Sequence, residues 1–225
     1  MKIQSRILYE DNHIIALNKL PGELSQGDET GDIPLGDFVK RYIKEKYSKP
    51  GDVFLGVVHR LDRPVSGVML FARTSKALER LTGMLREKEI EKTYWAIVKN
   101  KPEKASAELV HHLKRVQGKN ITRAFRSSQE DSKESHLSYH VIKTAKNFHL
   151  LEIIPHTGRQ HQIRVQLAEI GCPIVGDVKY GSAEPLPDAS IALHARKLKF
   201  IHPVKKELVM IEAPTPENKI WNLFG

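Results

Sequence analysis

Short apolar runs of strand length, broken at polar turns, dominate the chain and are interrupted by three stretches of helical character. Ile7–Tyr9 and His13–Leu17 are split by Asp11-Asn12 and closed by Pro21-Gly22, which predicts a hairpin. Between Leu35 and Tyr47 the residues Leu35, Phe38, Val39, Tyr42, Ile43 and Tyr47 recur at helical spacing. A second helix is expected behind Thr74 or Ser75 as its cap, with Leu78, Leu81 and Leu85 as its buried stripe. A third is expected from Thr157, which stands at capping-box spacing from Gln160, to near Gly171, with Pro173 just beyond. Strands are expected at 93–99, 137–143, 150–154, 193–201 and 208–211, and apolar runs at 53–58 and 68–72 flank a polar segment. Helices are scattered among hairpin-like strand pairs and do not alternate with them one for one. That favours an α+β fold over a doubly wound sheet.

The remaining composition adds a charge and removes some chemistry. At 225 residues the chain can form one large domain or two small ones. With 36 Lys and Arg against 27 Asp and Glu the net charge is +9, an excess that favours a polyanionic partner. The single cysteine, Cys172, excludes an internal disulfide and a cysteine-rich zinc site. The sequence shows no apolar run of membrane-spanning length and no signal peptide, so no membrane partner and a soluble, cytoplasmic setting are expected. The charge is uneven: no acidic residue falls between Glu108 and Glu130, where Lys114, Arg115, Lys119, Arg123 and Arg126 cluster around a turn at Gly118 and Asn120. The stretch reads either as a solvated hairpin or as an arm that follows a phosphate backbone.

The polar segment between the two apolar runs reads HRLDRPVSG, residues 59–67. It sets Asp62 between Arg60 and Arg63 at the mouth of a turn, where a rigid scaffold presents functional side chains. Neighbouring guanidinium groups favour the ionised carboxylate, which suits a nucleophile or a base and not a general acid.

HRLDRPVSG resembles the signature of the RluA family of RNA pseudouridine synthases. Matching stretches follow in the family's order: ILYEDNHIIALNKLPG at 7–22, EKTYWAIV at 91–98, HTGRQHQIRVQLAEIGCPIVGDVKYG at 156–181 and LHARKLKFIHP at 193–203. Leu20, Val65 and Gln166 depart from the residues usual in the family, where proline, threonine and histidine stand. The resemblance implies a long mixed, mainly antiparallel sheet in two halves flanked by helices, around a central catalytic cleft. It places residues 1–225 in a single catalytic domain, with no separate N-terminal RNA-binding domain because the pattern starts at about Ile7. A monomer without cofactor or metal is expected. The resemblance makes Asp62 the catalytic residue of an isomerase that turns a uridine of ribosomal or transfer RNA into pseudouridine.

The same resemblance gives Arg164 the role of basic partner to that carboxylate, although an arginine on a helix face shared with His161 and Ala168 is ordinarily solvated. It lays Tyr94 against the uracil ring, makes Leu193 an apolar wall of the uracil pocket, and has Arg60 fill the space that an extruded base leaves. The arm at 114–126 corresponds to the mobile loops with which the family pinches RNA. His59 is read as a structural hydrogen-bonding residue.

Two other classes compete. A non-catalytic RNA-binding module has no use for a carboxylate set among guanidinium groups. A metal-dependent nuclease would draw on the 11 histidines, yet His111-His112 and His156 with His161 have no carboxylate cluster at ligand spacing.

Overall fold

The computed structural model describes residues 3–29 and 31–225. They form eleven strands and three α-helices, in two compact units: residues 1–92 with 195–215, and 93–194 with 216–225.

In the first unit the sheet runs β1 (Ile7–Glu10), β2 (Ile14–Lys19), β4 (Ser66–Ala72) and β10 (Leu193–Ile201), whose first two residues belong to the second unit. β3 (Gly56–Val57) pairs antiparallel with β4, and β11 (Leu208–Glu212) with β10. The apolar run at 53–58 therefore yields only a two-residue strand. Phe54, in the middle of that run, is exposed. Helix α1 (Leu35–Lys46) buries Leu35, Val39 and Ile43, while Phe38 and Tyr47 of the same periodic set face solvent. Helix α2 (Ser75–Arg86) starts at Thr74, whose hydroxyl accepts from the Ala77 N–H. Its Ala77 and Leu81 enter the core with Val68, Leu70 and Phe200, and Leu78 and Leu85 pack at the edge of that cluster.

One glycine is indispensable here. Gly67 has φ +116°, and a Cβ on it would stand 2.3 Å from the Ala195 carbonyl oxygen. The residue after the Asp62 turn therefore has to be glycine for β4 to lie against β10.

The second unit is an antiparallel ladder in the order β5 (Glu91–Val98), β9 (Phe148–Pro155), β8 (Lys133–Ala145), β6 (Ser106–Arg115) and β7 (Thr122–Phe125). Leu109, His111 and Leu113 of β6 and Ser135, Leu137 and Tyr139 of β8 alternate inward, as the pleat requires. Helix α3 (Gln162–Glu169) is buried almost all round, from Gln162 to Leu167. It starts four residues later than the capping-box spacing predicts. Its N-cap is His161, left-handed at φ 54°, and the Thr157 hydroxyl instead accepts from the His136 N–H and donates to Gln162 Oε1. The predicted end is observed: Gly171, at φ +74°, returns its N–H to the Ala168 carbonyl.

Candidate active site

In the first unit Asp62 lies on the loop that joins β3 to β4, half-buried, with Arg60 exposed beside it. The loop is held by the last residue of β2 and the chain just after it. Lys19, completely buried, brings its Nζ within 2.7–3.3 Å of the carbonyl oxygens of Leu20, Asp62, Arg63 and Val65. The Ser25 hydroxyl donates to the Leu61 carbonyl at 2.7 Å and accepts from the Leu61 N–H at 3.0 Å. The Gly22 N–H donates to the Arg63 carbonyl, and Arg63 Nε returns a bond to the Gly22 carbonyl. Five consecutive loop positions, 61 to 65, are thereby fixed at four of their backbones.

A lysine without solvent is costly, and burial lowers the Lys19 pKa to about 8 despite the opposing charges of Glu23 and Asp62. Arg63 does not simply cap Asp62 as the flanking order suggests. Its Nη2 pairs with Asp32 at 2.6 Å, both groups being exposed. His59 takes the structural role expected of it. Its Nε2 accepts the Leu70 N–H, and burial with the nearby Lys92 charge drives its pKa down to about 4, so the ring is neutral at physiological pH.

In the second unit Tyr94 stands half-buried on β5 opposite Ile153, and Leu193 is buried at the first position of β10. Arg164 corrects the view of a solvated helix arginine. It is 4 % exposed, and Asp177 grips it with two bonds, Nε to Oδ2 at 2.7 Å and Nη2 to Oδ1 at 2.8 Å. Such a fork fixes both the direction and the plane of a guanidinium. The Tyr180 ring lies 5.1 Å below the guanidinium, and the Tyr180 hydroxyl is 2.7 Å from His161 Nδ1.

That same hydroxyl accepts from the Thr122 N–H, the first link to the basic arm. The arm is a hairpin of β6 and β7. Arg115, Lys119, Arg123 and Arg126 are exposed, and Lys114 is half-buried at 3.9 Å from Asp131. Its turn is fastened to the segment around α3: Gln160 donates to the Asn120 side chain at 2.7 Å and Lys179 to the Asn120 carbonyl at 3.0 Å.

The sequence reading missed Lys19, Ser25, Asp177 and Tyr180. Only Lys19 left a local trace, as the one charged residue of β2. Among the described residues no group of three or more His, Cys, Asp or Glu is placed to hold a metal ion, and no helix is long and apolar enough to cross a membrane.

Residues 13–169, which include Asp62, Tyr94 and Arg164, match the family model of RNA pseudouridylate synthases. The chain belongs to that family. It is thus an isomerase that converts uridine in RNA to pseudouridine.

Among its relatives is the ribosomal large subunit pseudouridine synthase C of Rickettsia bellii, 34% identical over 212 residues, which cover 93% of this chain and 68% of that protein. The protein of the same name from Escherichia coli K12 is 38% identical over 226 residues, 94% of this chain and 66% of that one. This chain thus spans about two thirds of the length of these relatives. The solved structure of human RNA pseudouridylate synthase domain containing 4 superposes with a TM-score of 0.79 at 24% identity, covering 96% of this chain and 90% of that one, a likeness of fold.

Proposed function

We propose that the protein isomerises a specific uridine of structured RNA, large-subunit ribosomal RNA before transfer RNA, with Asp62 as the catalytic carboxylate. The choice of RNA follows the names of the relatives from Rickettsia bellii and Escherichia coli. The observation that carries the assignment of Asp62 is the clamp of Lys19, Ser25 and Gly22 on residues 61–65. A fold that buries a lysine to fix one loop gains most where the loop carries a reacting group.

In the reaction the N1–C1′ glycosidic bond breaks, the base turns, a C5–C1′ bond forms, the C5 proton leaves and N1 gains a proton. A held carboxylate can take part by attacking the base, by attacking C1′, or by removing the 2′ proton. Arg164, oriented by Asp177, is the basic partner of the carboxylate. Tyr94 lies against the uracil ring and assists loss of the C5 proton, and Leu193 forms the apolar wall of its pocket. Arg60, exposed beside Asp62, fills the space of the extruded base, whose unstacking costs a few kcal/mol. Lys114, Arg115, Lys119, Arg123 and Arg126 follow the phosphates. On this reading both compact units serve a single catalytic domain.

The test is tritium release from RNA labelled at uracil C5. Asp62→Asn conserves shape and removes charge, so it should fold, bind RNA and release no tritium. Appreciable turnover by that variant would assign the chemistry to another group.

A further inference from the structure

The arm does more than present charge. Between the outer edge of β7 and the helix α3 lies an open surface pocket of about 370 Å³, lined by Thr122, Ala124, Phe125, Glu169, Lys179 and Tyr180 among others. Its volume falls within the range of ligand pockets and is ample for one nucleotide.

The strand register dictates what the wall of this cavity offers. Val116 donates its N–H to the Ile121 carbonyl, so 116 and 121 form a hydrogen-bonded pair. Hydrogen-bonded and non-hydrogen-bonded pairs alternate along an antiparallel ladder. Arg115↔Thr122 and Leu113↔Ala124 are accordingly non-hydrogen-bonded pairs, so the N–H and C=O groups of Thr122 and Ala124 point away from β6. The Thr122 N–H confirms this direction by bonding the Tyr180 hydroxyl. β7 ends the strand order, so among the described residues no strand meets the Thr122 carbonyl or the Ala124 N–H and carbonyl. With only four residues, and Thr122 already taken by Tyr180, the edge is too short for an added peptide strand.

We infer that this cavity binds one unpaired guanine nucleotide of the RNA, apart from the uridine that is modified. Apart from the cations Arg123 and Lys179 and the Thr122 hydroxyl, the lining offers the Glu169 carboxylate and the carbonyls of Thr122 and Ala124 as acceptors and the Ala124 N–H as a donor. Guanine matches that pattern, with N1–H and the N2 amino group as adjacent donors and O6 as acceptor. Phe125 and Tyr180 offer apolar ring surface to the base. Arg123 and Lys179 stand at the same cavity for the phosphate. Arg123 faces Lys114 directly across the strand pair, a like-charge apposition that a bound phosphate relieves. The bonds from Gln160, Lys179 and Tyr180 to residues 120 and 122 hold the cavity open before RNA arrives.

The inference rests on RNA as the substrate but not on which residue performs the chemistry. Its test is therefore made on binding, with the full chain carrying Asp62→Asn. Dissociation constants are measured for a hairpin RNA in which each unpaired nucleotide is in turn guanine, adenine or an abasic site. One position should show a guanine preference, and its abasic form should bind roughly 5- to 100-fold more weakly, as loss of one stacked base does.

Ala168→Phe fills the cavity and should abolish that sensitivity, so that guanine and abasic RNAs bind alike. Glu169→Gln adds no bulk and should erase the guanine-over-adenine preference at the same position, which keeps the test open if Ala168→Phe fails to fold. Losses that add independently in the variant and the abasic RNA would overturn the inference. So would weakening by Arg123→Ala and Lys179→Ala without any base-sensitive position, which would leave a phosphate track and no base site.

Discussion

Replacing Lys19 with methionine removes one charge and keeps the length of the side chain, which isolates the clamp on the Asp62 loop. Four carbonyl oxygens lie within 2.7–3.3 Å of Nζ, three of them on the loop at Asp62, Arg63 and Val65. A hydrogen bond to a charged group contributes about 1.5–3 kcal/mol, and an abandoned buried acceptor costs about 1–3 kcal/mol. Relief of the desolvated ammonium offsets part of that loss, so the net destabilisation should be about 3 kcal/mol, and Tm should fall by roughly 6–12 °C at the sensitivity of a chain this size.

The pH dependence has a definite sign. The Lys19 pKa is lowered to about 8 in the folded protein, against about 10.4 in an unfolded chain. Below pH 8 both states hold the proton, and the penalty for the buried charge is fully present. Between about 8 and 10.4 the unfolded state binds more protons, so this group adds stability as pH rises. The neutral amine has one donor fewer, so the loop loosens over the same range and single-turnover rates at saturating RNA should fall along a limb centred near pH 8. Lys19→Met should be slow throughout and should lack that limb. An unchanged Tm together with the wild-type rate and alkaline limb would refute the clamp.

In Asp177→Ala the buried Arg164 loses its bidentate acceptor, a change that costs about 3–5 kcal/mol in urea denaturation and should lower the chemical rate more than RNA affinity. A wild-type rate would show that Arg164 needs no orientation. Arg60→Ala should slow a structured hairpin more than a relaxed oligonucleotide with the same uridine, because only the hairpin must be opened; equal losses in single-turnover assays would give Arg60 an orienting role instead. Alanine at Lys114, Arg115 and Lys119 should flatten the log–log salt dependence of RNA affinity by about 2 units and leave the preferred uridine unchanged. An unaltered slope would make the arm a solvated hairpin.

The sequence by itself determined the elements whose cause is local. The α1 period, the Thr74 cap, the Gly171 stop and the turn that carries Asp62 follow from spacing and side-chain chemistry within a few residues, and each is where the pattern puts it. The α+β class follows from the same local signals taken in order. What the tertiary structure alone decided depends on groups far apart in the chain. Thr157 and Gln160 satisfy a capping rule, yet the Thr157 hydroxyl serves the β8 backbone at His136, a partner 21 residues away in the chain. Phe54 belongs to an apolar run and still faces solvent, since β3 pairs over only two residues. Lys19 meets loop backbone 43 to 46 residues away, and Arg164 meets Asp177 13 residues on. No periodicity records such pairs. Burial makes an unpartnered charge intolerable, and only the folded chain shows which partner relieves it.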